Sequence, residues 1–274
     1  MIDFCFPNHT CIVCRAELNA PANRYFCANC AKDFVINTEP LLLRDPEAKQ
    51  HFTRAHAAFI YGGEIANLIM RFKYNNEADI AEALAPFMAA TAIHGGLITA
   101  KQKPDMIIPV PLSAKRFRKR GYNQAQALAT ELSAHLATAG FTIPVAENIL
   151  IRTKTTEAQK HMTVAERSQN LRGAFALAPN ATASGVPNAT VSDVNVSGVA
   201  TVAAAASFVK PLAKAHRSQA LGNTSSTGNS LKGKRILLVD DVFTSGATAN
   251  ECAKTLRAAG AARTDVLTIA AAVN

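Results

Sequence analysis

The sequence predicts an α/β fold: a twisted parallel sheet flanked by helices, preceded by a small N-terminal zinc-binding module. Residues 106–110 and 236–239 are short apolar runs with the length of buried parallel strands, and each precedes a helical pattern. Two Cys-x-x-Cys pairs near the start mark the module. A chain of 274 residues is long enough for one large domain and one such module. We predict the module over residues 1–40 and the α/β domain over residues 41–274.

The overall composition indicates a water-soluble protein that binds acidic ligands. The first residues, MIDFCFPNHTC, have neither the basic nor the apolar segment of a secretory leader, and no apolar run reaches about 18 residues. We therefore expect a cytoplasmic protein with no membrane span. The formal net charge of +9 favours phosphates, nucleic acid or a membrane surface as ligands, without choosing among them.

Five of the six cysteines lie in the first thirty residues, which favours a metal site over disulfides in a reducing compartment. Two Cys-x-x-Cys pairs can place four thiolates around one zinc ion: Cys11, Cys14, Cys27 and Cys30. Because protein atoms would fill all four positions, the predicted role is structural. Cys5 is interpreted as an incidental thiol, and ligation by Cys5 or His9 is left open.

The first elements of the α/β domain follow from periodicity. Residues 57–61 predict a strand, and a helix follows with core residues at 3- and 4-residue spacing: Ile65, Leu68, Ile69 and Phe72. That helix ends with Arg71, Lys73 and Tyr74, which form either a solvated helix end or a basic wall of a ligand site. An Ala-rich helix then ends near Gly95.

Residues 104–123, PDMIIPVPLSAKRFRKRGYN, predict a central strand that leaves the sheet into a loop, because Pro109 and Pro111 stop both ladder and helix. This loop carries five cations in six positions: Lys115, Arg116, Arg118, Lys119 and Arg120. Ligands of α/β sheets bind at the carboxyl ends of strands, and clustered cations suit a pyrophosphate. A solvated basic patch and a nucleic-acid contact are the alternatives.

Residues 236–248, ILLVDDVFTSGAT, predict a strand, a turn and a helix that begins near Ala247. Asp240 and Asp241 stand at the strand's carboxyl end. The turn offers small and hydroxyl residues whose N–H groups can hold an anion at a helix N-terminus: Thr244, Ser245, Gly246, Ala247 and Thr248. No Lys or triple-glycine pattern of a nucleotide loop is present, so the segment predicts a sugar-phosphate site. An acidic strand end of the response-regulator kind is the alternative.

The chain resembles the ComF (GntX-like) family, which has a type I phosphoribosyltransferase core. The resemblance rests on a four-cysteine module followed, in order, by IPVPL, the basic loop, RGYNQ and LLVDDVFTSGAT. The resemblance covers residues 11–175 and resumes at residue 233. It implies that 5-phosphoribosyl 1-pyrophosphate (PRPP) binds with Mg²⁺, with Asp240 and Asp241 as catalytic residues facing the ribose hydroxyls. Residues 244–248 would hold the 5′-phosphate, and the basic loop would hold the pyrophosphate.

The same resemblance implies a mobile hood over residues 149–175, with Lys154, Gln159 and Arg167 as flexible-loop candidates. Residues 179–232 depart from the family as a low-complexity insertion, for which we predict mostly disorder and a short helix at residues 199–210. An apolar final strand is predicted at residues 265–273, beside the strand that carries the acidic pair.

The predicted function is phosphoribosyl transfer from PRPP to a nitrogen acceptor, and family members are associated with natural competence and DNA uptake. One alternative is a non-catalytic PRPP- or nucleotide-sensing component of a DNA-uptake assembly. Another is a zinc-dependent nucleic-acid binder with a vestigial pocket. The sequence does not identify the acceptor, and it leaves open a homodimer and contacts with nucleic acid or DNA-uptake proteins.

Overall fold

A computed structural model describes residues 10–18, 25–154, 163–179 and 231–272. The strands are β1 Arg54–Ile60, β2 Met106–Pro109, β3 Leu150–Arg152, β4 Phe175–Leu177, β5 Arg235–Phe243 and β6 Arg263–Ala271. The helices are α1 Ala28–Lys32, α2 Gly63–Tyr74, α3 Ile80–His94, α4 Ala114–Arg120, α5 Gln124–Thr138, α6 Val164–Leu171 and α7 Ala247–Ala258. No helix of the described segments is long and apolar enough to cross a membrane.

Four strands form a parallel sheet in the order β1-β6-β5-β2, so β5 lies inside the sheet. Successive residues of β5 point to opposite faces. Leu237 and Val239 belong to one buried cluster, whereas Ile236 and Leu238 belong to the other. Helices cover both faces, and residues 236–239 of β5, which precede its acidic pair, are therefore apolar.

The predicted strands and helices of the sheet region are confirmed. All four predicted core residues of α2 are buried, and α3 ends at His94, immediately before Gly95. The predicted last strand is β6, which pairs with β5. The parallel sheet with flanking helices confirms the predicted fold class.

The prediction of a basic loop after β2 is wrong, because these residues form α4. The Ser113 side chain accepts a hydrogen bond from the Arg116 N–H, which caps the helix, and Gly121 at φ 80° ends it. Pro109 and Pro111 stop the strand but lie before this cap. Lys and Arg are good helix formers, so the cations do not prevent a helix.

A two-stranded antiparallel sheet, β3 and β4, stands on one side of the main sheet and packs against α7. The Gly173 N–H donates to Glu251 Oε1 at 2.8 Å, which ties the turn before β4 to α7. Gln159, most of the insertion at residues 179–232 and the helix predicted at residues 199–210 lie outside the described residues.

The N-terminal segment packs onto the core of the sheet. Ile12, Phe26 and Phe34 are buried in one cluster with Phe59 of β1. The rings of Phe34 and Phe59 lie 5.6 Å apart, and Arg71 of α2 donates to the Ile12 carbonyl at 2.7 Å. Folding of this segment is therefore coupled to the sheet. The boundary at residue 40 stays a prediction.

Candidate functional site

The acidic pair lies inside β5 near its carboxyl end, because the strand continues to Phe243 instead of stopping at Val239. The Asp241 N–H donates to Asp240 Oδ1 at 2.8 Å. As neighbours in a strand, the two side chains take opposite faces. Asp241 faces the end of α2, where it pairs with Lys73, and Asp240 lies on the side of α7 and the β3–β4 sheet.

Lys73 is the residue of α2 that contacts the acidic pair. Its Nζ lies 3.0 Å from Asp241 Oδ2, and the two side chains are only 17% and 15% exposed. From the sequence, Lys73 belonged either to a solvated helix end or to a basic wall of a ligand site. Its contact with Asp241 depends on how α2 packs against the sheet, for which the sequence carried no local signal.

Arg152 approaches the pair from the other face. Its guanidinium lies over the Phe175 ring, 5.3 Å from the ring centroid. Burial lowers the pKa of Arg152, as does the neighbouring Arg116, whereas the Asp240 charge opposes the shift. The β3–β4 sheet thus brings a cation to Asp240, and α4 brings a second cation, Arg116, near Arg152. Arg152 lay in the predicted hood but was not among its candidate residues.

Burial raises the pKa of Asp240 to about 7, and the adjacent Asp241 charge adds to the shift. A hydrogen bond from the Asp241 backbone and the charges of Lys73 and Arg152 oppose it. Asp240 therefore titrates close to neutral pH.

This shift predicts a specific dependence of stability on pH. The folded pKa of Asp240 lies above its ordinary value of 3.8, so the folded protein holds a proton that the unfolded chain has lost between those pH values. The free energy of unfolding should fall as pH rises from about 4 to about 7. Urea unfolding at several pH values should give a flatter profile for Asp240→Asn. Parallel profiles for variant and wild type would contradict the shift.

The turn after β5 forms a cradle at the start of α7, defined as residues 244–248. Gly246 has φ 80° and directly precedes the helix, and Ser245 is buried. The Arg44 N–H donates to the Ser245 carbonyl at 3.1 Å, which ties the turn to the segment that precedes β1. Since the first N–H groups of a helix lack intrahelical acceptors, this end of α7 can bind an anion. Thr244 is exposed and Thr248 is half-buried.

The five predicted cations of α4 differ in what they contact. The charged ends of Lys119 and Arg120 lie over the Tyr74 ring at 5.5 and 5.4 Å, beside Lys73. Arg116 is near enough to Arg152 to shift its pKa. Lys115 and Arg118 are exposed on the outer side of the helix. The helix therefore presents cations to Tyr74 and Arg152, which lie on either side of the acidic pair, and to solvent.

Two flexible-loop candidates lie within the described hood. Lys154 Nζ donates to the Arg172 carbonyl at 3.1 Å, which joins the chain after β3 to the segment between α6 and β4. Arg167 is half-buried on α6, which packs against α7. The structure therefore gives Lys154 a contact within the hood and places Arg167 on the helix beside α7.

The four predicted cysteines come together. The Sγ atoms of Cys11, Cys14, Cys27 and Cys30 all lie within 4.8 Å of one another, and those of Cys14 and Cys27 are 3.7 Å apart. A tetrahedral zinc site with Zn–S bonds of about 2.3 Å has S···S edges of about 3.8 Å. Burial raises the pKa of Cys11, but backbone hydrogen bonds from Cys14, Cys27 and Val13 lower it to about 6. The cluster can hold a metal such as zinc. Cys5 and His9 lie outside the described residues.

No family model matches the chain. Competence protein F of Haemophilus influenzae is 27% identical over 270 residues, covering 93% of this chain and 93% of that protein. This chain is therefore similar to competence protein F over nearly its whole length. The resemblance to the ComF family is thereby confirmed. DNA utilization protein YhgH of Escherichia coli K12 is 31% identical to this chain over 117 residues, which are 43% of this chain and 49% of that protein.

Two solved structures are similar to part of this chain. Glutamine PRPP amidotransferase from B. subtilis, complexed with ADP and GMP, gives a TM-score of 0.35 at 14% identity over 73% of this chain and 30% of that chain. The allosteric regulatory enzyme of purine biosynthesis gives 0.34 at 16% identity over the same shares. These scores are too low to carry an inference about function.

Proposed function

We propose that the protein binds PRPP with Mg²⁺ and transfers its phosphoribosyl group to a nitrogen acceptor. The observation that carries this proposal is the adjacency of the acidic pair and the cradle: Asp240 and Asp241 end the apolar part of β5, and the cradle follows three residues later at the start of α7. One strand–turn–helix unit thus offers hydroxyl acceptors and a phosphate-binding helix end together.

Each part has a defined task in this proposal. The carboxylates of Asp240 and Asp241 accept hydrogen bonds from the ribose hydroxyls, and the N–H groups of the cradle bind the 5′-phosphate. Arg116 and the other cations of α4 stabilise the charge that develops on the departing pyrophosphate. Mg²⁺, when bound with PRPP, would neutralise part of that charge.

Catalysis then depends on positioning, and no protein nucleophile is required. The acceptor nitrogen attacks C1 of the ribose as the bond to pyrophosphate breaks, and the electron pair of that bond leaves with the pyrophosphate. The β3–β4 sheet, with Arg152 against Asp240, shields this centre from water.

We further propose that the four-cysteine cluster holds one structural zinc ion and does not take part in transfer. All four ligands come from the protein, which leaves no coordination position for substrate. Thiolates available to a metal fit a reducing, cytoplasmic location. A homodimer stays a prediction.

A specific surface favours a second candidate, a nucleic-acid-associated PRPP or nucleotide sensor without transfer activity. Tyr74 lies beneath two cations, and Phe117 of α4 is 48% exposed among three more. Proteins that bind single strands combine cations with aromatic rings on which bases stack. The relatives' names refer to competence and DNA utilization, which agrees with such a ligand.

A calorimetric titration of the zinc-loaded full chain with PRPP and Mg²⁺ tests the leading proposal. We expect micromolar binding, weakened about 100-fold or more in an Asp240→Asn/Asp241→Asn variant, because each carboxylate contributes charge-assisted hydrogen bonds. The charge-matched control is Asp33→Asn/Glu39→Gln, at two exposed positions outside the site. This control should bind PRPP like wild type.

Pyrophosphate release then separates the two candidates. Binding with release in the presence of nitrogen acceptors supports transfer, whereas binding without release over a broad acceptor panel supports the sensor. A folded wild type that binds no PRPP, but binds single-stranded DNA with strong salt dependence, would reject both PRPP proposals.

A further inference from the structure

The carboxyl end of α2 contacts both halves of the candidate site. Lys73 pairs with Asp241 at 3.0 Å, and the next residue, Tyr74, lies beneath Lys119 and Arg120 of α4. Two consecutive residues therefore join the acidic pair, where ribose is proposed to bind, to the basic helix, where pyrophosphate is proposed to bind.

Lys73 contacts the site, whereas Arg71 of the same helix does not. The Arg71 guanidinium is held by Glu77 and by the Ile12 carbonyl, on the side of the cysteine cluster. Lys73, two residues later, lies on a different side of the helix and reaches the sheet. Its side chain is only 17% exposed, so its ammonium is fixed at the site instead of moving in solvent.

The negative charge of PRPP requires a cation beside the acidic pair. PRPP is strongly anionic, and two adjacent carboxylates would repel its phosphates if their charge stood alone. Arg152 offsets Asp240 from one face, and Lys73 offsets Asp241 from the other. A lysine ammonium has three donors, and a single oxygen of Asp241 uses one of them.

We propose that Lys73 is a substrate-binding residue that donates to the pyrophosphate of PRPP while it remains bonded to Asp241. It thereby fixes the distance between the group that accepts the ribose hydroxyls and the leaving group at C1. This role rests on the proposed function of the site and adds to it a residue from α2.

A comparison of two ligands tests the proposal. PRPP with Mg²⁺ and ribose 5-phosphate share the ribose and the 5′-phosphate, but ribose 5-phosphate lacks pyrophosphate. We expect Lys73→Gln to weaken PRPP binding about tenfold, the loss of one charge-assisted hydrogen bond, and ribose 5-phosphate binding by less than about twofold. Lys73→Met, which keeps the buried alkyl chain, should behave like Lys73→Gln, and Lys73→Arg should retain part of the PRPP affinity.

The matched control is Lys254→Gln. Lys254 also pairs with a carboxylate, Glu251 at 3.6 Å, but its side chain is 51% exposed and it lies about two turns after the start of α7, so its loss should change neither affinity. Equal weakening of PRPP and ribose 5-phosphate by Lys73→Gln would mean that Lys73 acts only through Asp241, which overturns the pyrophosphate contact. No change in either affinity would also overturn it.

Failure of the proposed function is distinguishable from failure of this inference. A wild type that binds neither PRPP nor ribose 5-phosphate rejects the proposed function. Inorganic pyrophosphate with Mg²⁺ then tests Lys73 separately: weaker binding to Lys73→Gln than to wild type supports the contact. Equal binding to both proteins, or binding to neither, overturns it.

Discussion

A Cys14→Ser variant is expected to lose its zinc and to lower the free energy of unfolding by about 3 kcal/mol or more. Cys14 is exposed, so the substitution removes a ligand without opening a cavity. A four-thiolate site supplies much of the folding free energy of a small module. Without it, Ile12, Phe26 and Phe34 lose their packing on the sheet, and burying each such side chain is worth roughly 1.5–3 kcal/mol.

Elemental analysis for zinc and urea unfolding of the same samples measure this result. Cys252→Ala is the matched control, because Cys252 is a buried cysteine of α7 outside the cluster. It should lose stability through its cavity while retaining one zinc per chain. Full zinc content and unchanged stability in Cys14→Ser would contradict a four-thiolate site and would favour a replacement ligand such as Cys5 or His9.

The strand–turn–helix unit of the site could be predicted because its signals are local. An apolar run, two acidic residues, a glycine and an Ala-rich amphipathic segment are contiguous in the sequence, and each specifies its own conformation. The cysteine cluster was predictable for the same reason, since the Cys-x-x-Cys spacing restricts the thiolates to a tight turn. The structure differs mainly in the length of β5, which extends past Asp241 to Phe243.

The contacts of Lys73 and Arg152 could not be predicted because they depend on packing between distant segments. Lys73 and Asp241 are 168 residues apart in sequence, and their contact requires both the sheet order and the position of α2. Arg152 reaches the side of Asp240 because the β3–β4 sheet packs on α7. The helix α4 differs from the predicted loop for a local reason: Pro109 and Pro111 end β2, but the Ser113 cap starts a helix directly after them.

Gly246→Ala is expected to lower the free energy of unfolding by about 2–4 kcal/mol, because it combines backbone strain with a steric clash. At φ 80° an L side chain is disfavoured by roughly 1–2 kcal/mol. The added Cβ would also lie 2.6 Å from Phe243 Cζ and 3.3 Å from Leu43 Cδ1. The Phe243 ring packs edge-on against Phe52, with centroids 6.0 Å apart, so it has little room to retreat.

Gly121→Ala separates the two causes. Gly121 also has φ 80°, but the nearest atom to its added Cβ is Asn76 Oδ1 at 3.9 Å, so this variant suffers the strain without the clash. Thermal unfolding should show the larger loss for Gly246→Ala, and equal losses would mean that Phe243 moves aside. Because Gly246 directly precedes α7, relief of the clash must also shift the first N–H groups of that helix. PRPP binding should therefore weaken in Gly246→Ala well beyond its change in Gly121→Ala.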